Sequence, residues 1–385
     1  LVCSTAPKPL LLLIGYRAYG DWIFNIPILP FLFNKYRIHL ETNLKGAHLF
    51  HNDPRFEGFS FMKIESYPIE WRNKVVFERW EALERELQPD RVINLWRTME
   101  HSCIIEADQP EFYMPSQERQ LAFAGNAFYD EPFFRIGMAP PANPKLDCLY
   151  YSPQEWAWGE SFRKAHEGKF VIFMPIAGST AHKIIQGMEE MTDELLRRLP
   201  KAKIYLFGER GFEGYMWKRD RVTHIFAEQL PIKQSYLATK YADLVIGPET
   251  GMLAAAGMWG TPKVYLATAS SVYQLTKYSK NDYSVQSRCP CSPCEKAVYE
   301  LQDCDNLVFA ASIEGENYYY PRCTYMHDKE HVYGVAEMLY AKGFGRQTQE
   351  RRPKERLERR TAGSLYLRNA TENRLEAQQG EINAR

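Results

Sequence analysis

No run of apolar residues in this chain of 385 is long enough to cross a bilayer. The densest one, residues 10–14 in the opening "KPLLLLIG", stops far short of a span, and it lacks the length and small-residue cleavage site of a secretory leader. Net charge is missing as well. Lysine and arginine number 48 and so do aspartate and glutamate, so no overall basic field draws the protein toward nucleic acid or an anionic membrane. Any charged ligand has to be met locally. Cysteine is scarce before residue 289, with Cys3, Cys103 and Cys148 scattered, whereas a secreted chain more often spreads disulfides through its length. These absences place the protein in the cytoplasm, with peripheral membrane contact at most and no nucleic-acid partner.

What the chain does have is length and apolar content. At 385 residues and 45% apolar composition it exceeds what one core usually serves, so two domains are expected. In the first, residues 8–150, the buried-strand run "KPLLLLIG" leads into a glycine turn, "YRAYGD", and then "WIFNIPILPFLF", which reads as helical despite Pro27 and Pro30. "RIHLETN" and "RFEGFSFMKI" alternate like strands. "VVFERWEALERELQPD" has the spacing of an amphipathic helix, and "RVINLW" follows as a strand. Between 101 and 150 the pattern weakens, and the proline-rich "MAPPANPKLDC" marks the crossing to a second domain, residues 151–345. There strands and helices alternate again, from "KFVIFMPIAGS" to "KVYLA". The expected fold class is α/β, with parallel sheets in two Rossmann-like halves that face each other across a cleft. Residues 346–385 form a polar, charged tail, read as solvated.

In open α/β sheets ligands sit at the carboxyl ends of strands, where helix N-termini offer N–H groups and a partial positive charge. Three second-half loops occupy such ends. In "GPETGM" Thr250 caps the following helix or offers its hydroxyl to a ligand, and Gly251 lets a phosphate approach the backbone. "PIAGSTAHK" carries the hydroxyls of Ser179 and Thr180 and, just beyond, Lys183, an ordinary loop lysine or a diphosphate ligand. "FGERGFE" holds Glu209 and Glu213, which are solvated or accept hydrogen bonds from a ribose. In the first half "RAYGD" sets Asp21 at a helix start, as a cap or as a proton acceptor kept ionised by the helix dipole. The loops describe an anion-plus-ribose pocket.

The order of these motifs, from "RAYGD" through "HNDPRFEGF", "PDRVINLW", "MPIAGSTAHK" and "LFGERG" to "ADLVIGPETGMLAAAGMWGTPKVYL", resembles the ADP-heptose:lipopolysaccharide heptosyltransferases, a glycosyltransferase family 9-like group. The resemblance runs over residues 8–345. It implies the GT-B fold and metal-independent transfer of a sugar, with inversion, from a nucleotide-diphosphate donor such as ADP-heptose to a glycan or glycolipid acceptor. The nucleotide sugar is then a substrate, and no cofactor is implied. Asp21 would be the base, and Lys183 would meet the diphosphate with Ser179 and Thr180 nearby. Glu249, Thr250, Gly251 and Met252 would surround the phosphates, and Glu213 or Glu209 the ribose. The chain also departs from the pattern. Glu249 stands where the family commonly has aspartate, Ala254 where it has histidine, and "KIIQG" replaces a Lys-x-Trp-Pro run. These departures define a rival reading, a catalytically silent nucleotide-sugar-binding module of the same fold.

Cys289, Cys291, Cys294, Cys304 and Cys323 crowd one late stretch. Four of them, Cys291, Cys294, Cys304 and Cys323, supply enough thiolates for zinc, but only one tight pair is present where a zinc ribbon has two. No metal is expected there, and reduced structural cysteines or an adventitious disulfide are. The aromatic "ENYYYPRCTYMH" is read as core or rim packing.

Overall fold

A computed structural model describes residues 7–99, 103–123, 125–176, 180–208, 217–226, 229–313 and 316–344; Ser179, Glu209, Glu213 and the tail lie outside the described residues. β1 (Leu10–Gly15) is a near-continuous apolar run because helices cover both faces of its sheet. Leu11 and Leu13 enter one buried cluster, while Leu12 and Ile14 enter another. From β1 the chain passes to α1 (Tyr19–Asn25) and α2 (Leu29–Lys35), split by a 3-10 turn at Ile26–Ile28. Pro27 and Pro30 sit at the starts of that turn and of α2, where a missing N–H costs little, so the expected single helix is two. β2 (Arg37–Asn43), α3 (Leu44–Phe50), β3 (Gly58–Met62), α4 (Ile69–Leu87) and β4 (Arg91–Asn94) complete a four-stranded parallel sheet of order β3-β2-β1-β4.

The second sheet follows the same rule. After α5 (Ser116–Phe123), α6 (Glu131–Arg135) and α7 (Pro153–Ala165) come β5 (Phe170–Pro175), α8 (Met188–Arg198), β6 (Ala202–Gly208) and β7 (Val222–Phe226). α9 (Ile232–Thr239), β8 (Leu244–Gly247), α10 (Gly251–Trp259), β9 (Lys263–Ala267), α11 (Val272–Thr276) and β10 (Val285–Gln286) then build out the other side. The order is β10-β9-β8-β5-β6-β7, parallel throughout. Val171 and Phe173 of β5 face one cluster, and Phe170, Ile172 and Met174 the other, which α8 and α12 (Lys329–Phe344) cover. An antiparallel hairpin of β11 (Leu307–Ile313) and β12 (Glu316–Pro321) stands apart from both sheets, with Phe309, Tyr318 and Tyr319 exposed at its rim.

The two halves share one buried cluster. Leu11, Trp22 and Phe24 from the first pack in it with Tyr236, Met252 and Leu253 from the second. The described residues between 103 and 130, which carry no periodic signal, are tied to the far end of the chain. Ile105 and Ala297 exchange backbone hydrogen bonds with Glu295 and Ile105 at 2.9 Å each, Arg119 Nε donates to the Cys294 carbonyl at 2.7 Å, and Gln274 Nε2 donates to the Cys103 carbonyl at 3.0 Å.

At the seam the N-termini of α1 and α10 touch through glycine. A Cβ on Gly20 would stand 3.2 Å from Gly251 Cα, and one on Gly251 would stand 2.1 Å from Tyr236 Oη and 3.1 Å from Gly20 N. Only residues without a side chain let these backbones meet. Gly251→Ala should therefore destabilise the protein by about 1–3 kcal/mol through overpacking. Adding Tyr236→Phe, which deletes the atom struck first, should restore part of that loss. Urea denaturation of both variants measures it.

Candidate active site

The order in which strands are added reverses inside each parallel sheet, between β1 and β4 in the first and between β5 and β8 in the second, and the loops that leave β1, β5 and β8 all lie at carboxyl ends. They converge on a cavity of about 1020 Å³ bounded by both halves. Asp21, Thr180, Lys183, Glu249, Thr250, Gly251 and Met252 all line it. Asp21 lies in the first turn of α1, where its Oδ2 accepts the Ala18 N–H at 3.3 Å. Buried polar contacts hold the preceding loop: Asn43 Nδ2 donates to the Arg17 carbonyl at 3.0 Å, its Oδ1 caps α3, and the Arg17 guanidinium donates to Thr98 Oγ1.

Across the cleft Thr180, 6% exposed, places Oγ1 3.1 Å from His182 Nε2. His182 is buried, and burial pulls its imidazole down to about 4 against the opposing charge of Glu249, so it is neutral near pH 7. Lys183 is half-buried, and its ammonium has no ion-pair partner among the described residues. Thr250 is the N-cap of α10 in extended conformation, yet its hydroxyl makes no capping bond. Its Oγ1, Tyr236 Oη and His182 Nδ1 are buried without a hydrogen-bond partner among the described residues. Met252 is buried beside them. Phe207, Ile225 and Phe226, at the ends of β6 and β7, and Leu230 just beyond add apolar side chains to the cavity wall.

Glu249 has a geometry that its position in "GPETGM" does not announce. The carboxylate turns away from α10 into the loop after β9. There Oε1 accepts N–H groups of Thr268, Ala269 and Ser270 at 2.8, 2.9 and 3.2 Å, with the Thr268 hydroxyl at 3.1 Å, and Oε2 accepts the Ser270 hydroxyl at 2.8 Å. Burial works against its ionisation. The charges of His182 and Lys183 and the hydrogen bonds from Thr268 and Ser270 outweigh burial and hold the carboxyl below its ordinary range. With His182 neutral at pH 7, Lys183 and the hydrogen bonds keep it charged. The side chain, which also lines the cavity, is thus held by the protein's own backbone and hydroxyls.

Two residues join the site beyond those expected: His182, inside "PIAGSTAHK" and next to Lys183, and Tyr236, mid-helix in "KQSYLATKYA", which no motif marks. Among the described residues no group of three or more histidine, cysteine or acidic side chains is arranged to hold a metal. Cys289 and Cys291 approach to 3.5 Å between sulfurs, and burial, with Cys291 adding to it, pushes the Cys289 thiol up to about 11. No helix among the described residues is long and apolar enough to cross a membrane.

Because Glu249's folded carboxyl lies below its unfolded value of about 4.3, its stabilisation is fully present above that pH and is lost as pH falls through the folded value. Glu249→Gln, which faces the N–H cradle with a partly donating amide, should cost about 2–3 kcal/mol at pH 7 and flatten this acid limb. Urea melts from pH 7 to pH 3 read both effects.

No protein-family model and no curated protein matches the chain. Solved structures do. A glycosyl transferase of family 9 from Veillonella parvula superposes with a TM-score of 0.60 at 12% identity, over 87% of this chain and 98% of that one. The E. coli ADP-heptose lipopolysaccharide heptosyltransferase II gives 0.52 at 15%, over 86% and 99%. The iron-containing dodecameric glycosyltransferase TibC from enterotoxigenic E. coli gives 0.52 at 12%, over 87% and 77%. At such low identity the likeness speaks for architecture, and what it establishes is that this chain has the α/β, two-domain GT-B fold of these glycosyltransferases.

Proposed function

We propose that the protein is an inverting glycosyltransferase that moves a sugar from a nucleoside-diphosphate donor to a hydroxyl of a glycan or glycolipid. The observation that carries this reading is the meeting, in one cavity, of a carboxylate at the start of α1 and the unfilled N-terminus of α10, in contact at Gly20 and Gly251. Inverting transfer needs a proton acceptor beside the acceptor hydroxyl and electropositive groups on the departing diphosphate. In this reading Asp21 takes the proton, the acceptor oxygen attacks the anomeric carbon, and the bond from that carbon to the diphosphate breaks with its electron pair leaving on the phosphate oxygen. Lys183, the first N–H groups of α10 and the Thr250 hydroxyl receive the charge, so the step is written without a metal or further cofactor. Thr180 borders the same phosphates. The apolar side chains of Phe207, Ile225, Phe226 and Leu230 suit a nucleobase, with Glu213 or Glu209 assigned to the ribose. ADP-heptose, named with the E. coli structure, is the first donor to try.

Two substitutions test the assignment. Asp21→Asn keeps shape and most capping, so donor affinity and melting temperature should hold while turnover drops about 10²–10⁴-fold. Near-wild-type turnover would remove Asp21 from the chemistry, and a wild-type protein that binds nucleotide sugars but never transfers them would leave the silent binding module. Lys183→Ala should weaken nucleoside-diphosphate binding by about 1.5–3 kcal/mol, read by calorimetry, and unchanged affinity would exclude it as a ligand.

A further inference from the structure

α10 is a helix of nine residues with no acidic residue in its first turn and no side-chain cap, and Glu249, the carboxylate nearest in sequence, is turned away from it. Beside that turn stands Tyr236, which is 0% exposed and belongs to the cleft wall. Its Oη has no hydrogen-bond partner among the described residues, and neither has Thr250 Oγ1. Buried hydroxyls are almost always paired, because leaving one bare costs about 1–3 kcal/mol. Burial also pushes the Tyr236 phenol well above its ordinary value, so the proton stays on and the group has a hydrogen bond to donate. What is missing is an acceptor. At the positive end of a helix, between two backbones that only glycine allows so close, the acceptor favoured is an anionic oxygen.

We propose that Tyr236 Oη donates a hydrogen bond to a phosphate oxygen of the donor's diphosphate seated on the N-terminus of α10. This rests on the reading of the cleft as a nucleotide-sugar site and adds to it a ligand on α9 that no motif marks.

The test is Tyr236→Phe, measured against ADP, GDP, UDP and CDP by calorimetry and by melting without ligand. The affinity of the nucleoside diphosphate that wild type prefers should fall roughly ten- to a hundredfold, as for loss of a hydrogen bond to a charged group. The ligand-free melting temperature should be unchanged or higher, because no internal partner is lost. Unchanged affinity overturns the proposal and leaves the site's reading intact, and a lowered ligand-free melting temperature overturns it too, since the hydroxyl would then have a partner in the fold. A wild-type protein that binds none of the four overturns the nucleotide-sugar reading and this proposal with it.

Discussion

The carboxylate of Glu249 in the N–H cradle of residues 268–270 is the interaction on which the cleft depends. It joins the loop after β8 to the loop after β9, and so fixes the direction in which the chain enters α10. A carboxylate held by several N–H donors is a strong, charge-assisted constraint that an amide or hydroxyl cannot reproduce. By filling one ring of backbone donors with its own acid, the protein leaves the neighbouring one, at α10, as the place where a second anion is wanted. The division of labour is set by which way one side chain turns.

Around that constraint the cleft carries charge of both signs on both halves. The second half brings Lys183, His182, Thr180, Thr250 and the start of α10 beside the self-satisfied Glu249, and the first half brings Lys45, His48 and His51 beside Asp21. On the first half the corresponding helix start carries Asp21, an acceptor. Two helix N-termini that would repel each other meet here where one of them carries its own negative charge. A shared apolar core behind the seam, with Trp22 and Phe24 against Met252 and Leu253, holds them there.

Much of this was legible in the sequence, for physical reasons that also mark the limits. Strands covered on both faces write themselves as unbroken apolar runs, so β1, β5 and β8 stand out, and "RIHLETN" has the bounds of β2, although its alternation stops at Leu40 and Glu41, Thr42 and Asn43 are all buried. Loops after such strands are where an α/β fold puts ligands, which is why Asp21, Lys183 and Thr250 could be selected before their meeting was seen. Glu249 could be selected but not understood, because its partners lie about twenty residues on, across a strand pair. Tyr236 could not be selected at all. Nothing in a helix of mixed apolar residues says which one ends beside another helix's first turn. The 103–130 region was opaque for the same reason, its hydrogen-bond partners being some 150 to 190 residues away.

That last feature bears on how the chain comes together during its synthesis. The ladder of the first sheet is complete once β4 has emerged, since none of its four strands pairs with a strand beyond residue 94. The stretch that follows has no such freedom: Ile105 waits for Glu295 and Ala297, Arg119 for Cys294, and Phe128 for Gln274. Until the ribosome has delivered the segment that follows β10, the ring of Phe112, over which the Lys296 ammonium sits at 4.0 Å, lacks its final cover. The wall that finishes the cleft is thus among the first segments made and among the last to be seated, and the nascent protein spends most of its elongation with an ordered first sheet and an unanchored arm.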